Sequence, residues 1–439
     1  MSRAERPLAG LLIVFVLSSC ALVPGRAKTS PPPAPEPRAD LPPERLATER
    51  AIARFEDRVR NDSRDFVSYT ILGQLYLRKG REAADLAAYV KAEEAFRQAI
   101  AQKDDHVSAK ILLATALASQ HRFHESLALA REIYRAEPTS VEALATMGDA
   151  LLEIGRYRAA DTAYRKLQET VGDHPAVLAR LSQIAELRGD VDTATALVKK
   201  AAERAGDSPE EDLSWYQARL GEIYYQSGRI DEAERSYQKA LELRADSPPA
   251  LVGLADVRAA QERSEEALKL LRRAVELAPE PAALAKLGDL EARAGNGDAA
   301  EECYAAVEEI ASRPGAYQSA YARELALFYA DHRKNAGQAV ELAARDLGIR
   351  RDVYAFDTLA WVLYRSDRID DARRAIDKAL RLGTRDATLH YHAGMIYLRA
   401  GDPTRARTHL REAVDLARYL VPEDGVEALS RLGEVSAPA

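Results

Sequence analysis

The sequence predicts an all-α protein built as a stack of about ten repeated helix pairs with a capping helix at each end. Glycine or alanine recurs at two fixed positions of a unit of about 34 residues, and tyrosine, phenylalanine or leucine recurs beside them. Leucine and alanine run through the whole repeated segment without the alternation that a half-buried strand requires. These observations predict a one-dimensional stack in which each unit covers the next.

Residues 1–19 are predicted to be a signal peptide. Arg3 and Arg6 precede an apolar run from Leu8 to Leu17. That run is too short to cross a bilayer as a helix, for which about 20 apolar residues are needed. A short basic region followed by a short apolar core is typical of a secretory signal.

The apolar run ends in a motif that resembles the lipobox of bacterial lipoproteins, Leu17-Ser18-Ser19-Cys20. The resemblance implies that Cys20 is acylated, for example with palmitate, and becomes the mature N-terminus. Ala21 follows, and by the same resemblance a residue other than aspartate favours sorting to the outer membrane. The alternative is an ordinary signal peptide with a chance cysteine at its end.

Residues 20–43 are predicted to be a lipidated cysteine and a proline-rich tether, because seven of the 20 prolines lie between Pro31 and Pro43. Such a segment extends by about 3.1 Å per residue and buries little. Ala51 and Phe55 then fall at packing positions of an incomplete repeat, so residues 44–65 are predicted to be an N-terminal capping helix. Residues 421–439 are predicted to be a C-terminal cap and tail.

Residues 66–420 are predicted to be the solenoid. Its clearest unit contains Leu220-Gly221, Tyr224, Gly228, Ala233, Tyr237 and Ala240. This spacing resembles the tetratricopeptide repeat family, which implies a right-handed superhelix of helix-turn-helix units. The predicted units start near residues 66, 107, 141, 175, 214, 248, 281, 319, 353 and 387. Small residues at positions 8 and 20 are expected to let the two helices approach, and the rings at positions 11 and 24 to fill the space beside them.

Composition and motifs argue against several classes of function. The net charge of −7 disfavours a general nucleic-acid partner, because an acidic surface repels phosphate. Cys20 and Cys303 are the two cysteines, too few for a disulfide framework or a structural zinc site. The repeats contain no P-loop, no Gly-x-Ser-x-Gly and no His-Glu-x-x-His. We therefore predict no enzyme, no catalytic residue, no cofactor and no metal.

The family resemblance also implies a concave groove lined by the first helix of each unit. Groove positions carry acids in the middle units and aromatic residues bordered by an arginine in the last two. The predicted partner-binding residues are Asp149, Glu186, Glu222, Asp256, Asp289, Tyr354, Trp361, Tyr364, Tyr391 and Arg365. The alternative for the acids is a solvated helix surface, although a same-sign column would favour a basic ligand. Trp, Tyr and Arg are the residues that most often anchor interfaces.

The sequence thus favours a membrane-anchored scaffold in the bacterial cell envelope that binds partner proteins in its groove. It would assemble or position an envelope complex such as secretion, exopolysaccharide-export, pilus or cell-wall machinery, on the periplasmic face of the outer membrane. The alternatives are a lipoprotein that binds glycan or peptidoglycan directly or regulates a hydrolase, and a hydrolase or transferase hidden in the repeats.

Overall fold

The computed structural model describes residues 43–83, 85–206, 210–313, 319–332, 334–420 and 423–434. Helices are the only regular secondary structure within these ranges, which confirms the predicted all-α repeat fold. The predicted signal peptide, Cys20 and the tether up to residue 42 lie outside the described residues. None of the described helices is both long and apolar enough to cross a membrane.

The described helices follow one another in antiparallel pairs. Most of the predicted repeat starts coincide with the first residue of a helix, and helices lie at both predicted caps. The helices are α1 Pro43–Asn61, α2 Phe66–Ala83, α3 Leu86–Gln102, α4 Val107–Ser119, α5 Phe123–Ala136, α6 Val141–Glu153, α7 Tyr157–Val171, α8 Pro175–Leu187, α9 Val191–Arg204, α10 Glu210–Gln226, α11 Ile230–Leu243, α12 Pro248–Ala260, α13 Ser264–Leu277, α14 Pro281–Arg293, α15 Gly297–Ser312, α16 Ala322–Asp331, α17 Ala336–Ile349, α18 Val353–Arg365, α19 Ile369–Ala379, α20 Ala387–Arg399, α21 Pro403–Ala417 and α22 Glu423–Glu434.

The chain forms two compact units, residues 1–150 and 151–439, of which the first is described from Pro43. In the first unit, α1 packs on α2 and α2 packs on α3. Its core contains the fully buried side chains of Leu77, Ala92 and Phe96. In the second unit the successive pairs form a longer core that includes Tyr304, Leu325 and Ile376.

One contact sets the distance between the two helices of a pair. In α10, a Cβ on Gly221 would lie 2.7 Å from the ring of Tyr237 in α11. The corresponding distance is 2.5 Å from Gly73 to Phe96 and from Gly288 to the ring of Tyr304. Real Cβ atoms do not approach carbon this closely, so the glycine at position 8 leaves the space that the ring at position 24 fills.

The turn between paired helices has a left-handed residue at position 15. Gly155, Gly189 and Gly228 have φ of 74°, 75° and 77° in three successive helix pairs. His121 and Glu262 occupy the same position of other units with φ of 59° and 61°. A tight turn between the helices therefore recurs even where the residue is not glycine, because stacking fixes the helix ends.

The second unit is curled, so that the turns within its first helix pairs contact segments near its C-terminal end. The backbone carbonyls of Arg351, Gly383 and Leu416 occupy the space that a Cβ on Gly155, Gly189 and Gly228 would need, in that order. We call these three contacts the seam. The sequence did not predict the seam, since the family resemblance implied only a concave groove.

Hydrogen bonds cross the seam at each of its three contacts. Val353 N–H donates to Tyr157 Oη at 2.7 Å. Thr384 Oγ1 donates to the carbonyl oxygen of Leu187 at 2.6 Å. Tyr419 Oη donates to the carbonyl oxygen of Tyr225. The second unit is therefore held in its curl by polar contacts between segments almost 200 residues apart.

The glycine–ring contact gives a stability prediction. Gly221→Ala should lower the free energy of unfolding by about 1–3 kcal/mol, because the new methyl group overpacks against Tyr237. The measurement is chemical unfolding followed by far-UV circular dichroism. Gly348→Ala in α17 is the matched control: nothing lies within 4 Å of its new Cβ, and alanine favours a helix. Equal stability of Gly221→Ala and wild type would contradict the contact.

Candidate functional site

The second unit has a cavity of about 460 Å³ that lies next to the seam and is partly open to solvent. Its walls come mainly from the first helices of early and late pairs, α8, α10, α18 and α20, with the helix starts before α18 and α20. Six carboxylates, three guanidinium groups and one imidazole line it. They are Glu153, Glu186, Glu222, Asp352, Asp357 and Asp386, then Arg219, Arg323 and Arg350, then His392.

Arg219 is the cation on the α10 side of the cavity. It forms ion pairs with Glu186 and with Glu222, the latter at 2.6 Å. Burial disfavours its charge, but the two carboxylates outweigh burial and raise the pKa of Arg219 above its usual value. Burial raises the pKa of Glu186 despite Arg219, and the charges of Glu222 and Asp386 raise it further. The guanidinium group of Arg219 thus forms ion pairs with two carboxylates at once.

Elsewhere on the cavity wall, two further guanidinium groups each pair with two carboxylates. Arg323 pairs with Asp352 at 2.9 Å and with Asp346 at 3.2 Å. Arg350 pairs with the same Asp346 at 3.4 Å and with Glu153 at 3.8 Å. Asp352 also accepts a hydrogen bond from Ala355 N–H at 2.6 Å and so caps α18. These bonds fix the start of α18, where the seam passes.

His392 and Asp386 lie on the α20 side. His392 Nδ1 is 3.0 Å from Asp357 Oδ1, and its ring stacks on Trp361 at 4.1 Å. Burial lowers the pKa of His392, but Asp357 outweighs burial and raises it. Asp386 caps α20 by accepting from Leu389 N–H at 2.8 Å. Burial raises the pKa of Asp386, as does the nearby charge of Asp357.

The predicted acidic residues divide between the cavity and other places. Glu186 and Glu222 line the cavity, and Asp149 lies half-buried in the first unit. Asp256 pairs with Lys286, which lies 30 residues further on. Asp289 accepts hydrogen bonds from Tyr304 Oη and His332 Nε2, both at 2.8 Å. The chain itself therefore supplies cationic or hydroxyl partners to much of this acidic column, and a ligand contact at these acids stays a prediction.

The predicted aromatic residues lie together, but two of them belong to the core. Trp361 is 3% exposed and Tyr391 4%. The Trp361 ring stacks on Tyr364 at 5.0 Å, and its Nε1–H donates to Asp331 Oδ1 at 2.7 Å. Trp361, predicted to face the groove, is therefore a core residue, because its neighbours bury the indole ring. A partner contact at these rings stays a prediction.

Tyr354 and Arg365 complete the predicted set. Tyr354 lines the cavity, where burial and then the charge of Asp386 raise its pKa. Arg365 is half-buried with its guanidinium group 5.5 Å from the Trp361 ring, and its Nη2–H donates to Asp331 O at 3.1 Å. Tyr354 thus shares the cavity with Glu186 and Glu222, whereas Arg365 does not line it.

Sequence reasoning missed most of the cavity wall. Arg219 and His392 lie at position 6 of their repeats, which the family resemblance does not assign to the groove, whereas Asp357 lies at a groove position, position 5, but is not in the predicted set. Asp352 and Asp386 directly precede two predicted repeat starts, which does not indicate that they line a cavity. His392 is outside the predicted set, and the structure buries it against Asp357 and Trp361. Within the described ranges, no three His, Cys, Asp or Glu residues are grouped to hold a metal ion.

Comparison with family models matches the tetratricopeptide repeat at residues 89–141, 173–246, 218–282, 252–317 and 358–420. The chain belongs to the tetratricopeptide repeat family. Repeats of this family are shared by proteins that act as protein–protein interaction scaffolds. A comparison with curated whole proteins gives no match.

Several solved structures resemble the chain, but only distantly. Human IFIT1, solved as a dimer with PPP-AAAA, is 14% identical over 84% of this chain and 94% of its own, with a TM-score of 0.47. Yeast Tom70 is 15% identical over 89% and 92%, with a TM-score of 0.39. Pseudomonas aeruginosa PilF is 17% identical over 49% and 96%, also with a TM-score of 0.39. Similarity at this level says nothing about the partners of this chain.

The contact between Asp289 and His332 gives a pH prediction. Both ring nitrogens of His332 face acceptors, Phe328 O and Asp289 Oδ1, each at 2.8 Å, which favours the imidazolium form. The hydrogen bond to Asp289 raises the pKa of His332 above its usual value. The resulting stabilisation is complete below about pH 6.5 and is lost as the pH rises through the higher folded-state pKa.

We therefore expect the free energy of unfolding to fall above about pH 6.5, and His332→Gln to fall less steeply. His392, whose pKa is also raised, supplies the remaining slope. The measurement is urea unfolding at a series of pH values. Exposed His124→Gln is the control and should keep the wild-type slope. A slope unchanged in His332→Gln would contradict this assignment.

Proposed function

We propose that this protein is a non-enzymatic scaffold, anchored by lipid at Cys20, that binds partner proteins on the inner helices of its second unit. Its place would be the bacterial cell envelope, on the periplasmic face of the outer membrane. There it would hold the parts of an envelope complex together, in secretion, exopolysaccharide export, pilus assembly or cell-wall machinery.

The observation that supports the interaction role is that the first helices of the stacked pairs, here called the inner helices, carry charged side chains. A stack offers a continuous surface built on rigid helices, which suits recognition of another chain. Arg219 and Glu222 belong to that surface, and the Glu222 side chain is 53% exposed. A direct glycan-binding role is not part of the proposal, because the Trp361 and Tyr391 rings, which could stack on sugars only if they were exposed, are buried.

The lipid anchor is supported by the sequence alone. Leu17-Ser18-Ser19-Cys20 places a cysteine where the apolar run ends. Two or more acyl chains hold a protein stably at a membrane, whereas one holds it only marginally. A tether after Cys20 would leave the helix pairs free to meet partners away from the lipid surface.

Replacement of the cysteine tests the anchor. Cys20→Ser should move the protein from the membrane fraction to the soluble fraction, because the residue that would be acylated is gone. The measurement is cell fractionation with immunodetection in a two-membrane bacterium. Cys303→Ser is the matched control and should leave the distribution unchanged. Membrane retention of Cys20→Ser would refute lipidation at this residue.

Site-specific crosslinking tests the scaffold role. A photo-crosslinking amino acid at position 222 should capture discrete partner proteins in cells, because Glu222 is an exposed residue of the cavity wall. The control is the same amino acid at exposed Glu276 on α13, which does not line the cavity. Captured proteins are identified by mass spectrometry. Absence of any adduct at position 222, or identical adducts at both positions, would count against partner binding at this surface.

A further inference from the structure

The cavity in the second unit has more negative groups than its own cations neutralise. Its six carboxylates outnumber the three guanidinium groups and His392 even when the imidazole is charged. Arg219 is already shared by Glu186 and Glu222, and Arg323 by Asp352 and a carboxylate behind the wall, Asp346. No cation on the wall is in excess, so the formal charge of the wall is negative, which favours a cationic ligand.

Asp386 lies beside a second carboxylate on the cavity wall. It lies at the start of α20 with Asp357 close to it, and both line the cavity. The Asp386 carboxylate accepts a hydrogen bond from the backbone N–H group of Leu389. Burial and the charge of Asp357 raise the pKa of Asp386, whereas His392 lowers it only in part. An additional cation near Asp386 would relieve this repulsion.

A second, independent feature is an acceptor without a donor. Gln226, the last residue of α10, lines the cavity, and its Oε1 is shielded from solvent without a hydrogen-bond partner among the described residues. Buried polar atoms are normally paired, and an orphan carbonyl oxygen at a cavity wall is satisfied when a ligand brings an N–H group. Ammonium and guanidinium groups carry only donors.

We infer that this cavity is a binding site for an organic cation, the lysine or arginine side chain of a partner protein or a free polyamine. The carboxylates of Asp386, Asp357 and Glu222 would surround the charge, and Tyr354 adds a ring to the wall. A volume of about 460 Å³ is within the range of small-ligand sites and admits such a chain. In the side-chain form, the inference rests on the proposed scaffold function and names the chemistry of the partner.

The test uses the full chain and two probes. One probe is a fluorescein-labelled peptide of alternating arginine and alanine, followed by fluorescence anisotropy, with a glutamate-for-arginine peptide as the probe control. The other is spermidine, followed by calorimetry. Both are measured at about 0.15 M salt, where interactions between well-separated surface charges are screened.

The variants remove charge without removing structure. Asp386→Asn neutralises the carboxylate but keeps a good N-cap for α20. Asp402→Asn is the matched control, because Asp402 caps α21 in the same way, by accepting from Arg405 N–H at 3.1 Å, and does not line the cavity. Glu222→Gln is a second test variant at the exposed part of the wall. We expect Asp386→Asn and Glu222→Gln each to weaken binding about tenfold and Asp402→Asn to leave it unchanged.

Each outcome decides the inference. Saturable binding of the arginine peptide with these losses supports a side-chain ligand, and binding of spermidine alone with the same losses supports a free polyamine. Absence of binding by both probes, or equal binding by Asp386→Asn and Asp402→Asn, overturns the cation site. If crosslinking at position 222 still captures partners after such a result, the scaffold function stands and the cation site alone has failed.

Discussion

The contact between a glycine and an aromatic ring is the constraint on which the structure depends. Tyr237 occupies space that any larger residue at Gly221 would need, and a Cβ on Gly253 in the next pair would also lie within contact distance of the same ring. One side chain therefore sets the spacing within a pair and between pairs. Because no pair can bury its apolar face alone, this spacing repeats along the stack.

The seam follows from the same regularity. Successive pairs stack on one another and the second unit curls, so turns of its early pairs meet segments of its late pairs. Gly189 and Gly383 meet in this way, backbone against backbone, where a side chain would not fit. The curl brings Glu186 close enough to Asp386, 200 residues later in the chain, for the two charges to interact. The charged cavity is thus a product of how the repeats stack and not of any local motif.

The helix pairs could be predicted from the sequence because their determinants are local. Gly221, Ala233 and Tyr237 have fixed spacings, and each acts within one pair or on its neighbour. The cavity could not be predicted in the same way. Whether Glu186 lies close to Asp386 depends on the rotation of each helix pair relative to the pair before it. Small differences in that rotation accumulate over the stack.

The aromatic residues illustrate a second limit of sequence reasoning. Trp361 stands at a position that usually faces the groove, so the sequence favoured a binding role. In the structure, His392 of the next pair stacks on its indole ring and Asp331 of the preceding pair accepts from its Nε1–H. Neither contact follows from the repeat pattern, because both partners are ordinary polar residues at variable positions. Burial of a residue in a stack depends on its neighbours in adjacent pairs.

The most direct measurement of the curl is hydrogen exchange at the backbone amide of Val353. This residue begins α18, and the first N–H groups of a helix have no partner within the helix. Its hydrogen bond goes to Tyr157 Oη across the seam. We predict that this amide is protected in the wild-type protein and exchanges rapidly in Tyr157→Phe. Rapid exchange in the wild type, or protection that survives in Tyr157→Phe, would contradict the closed seam.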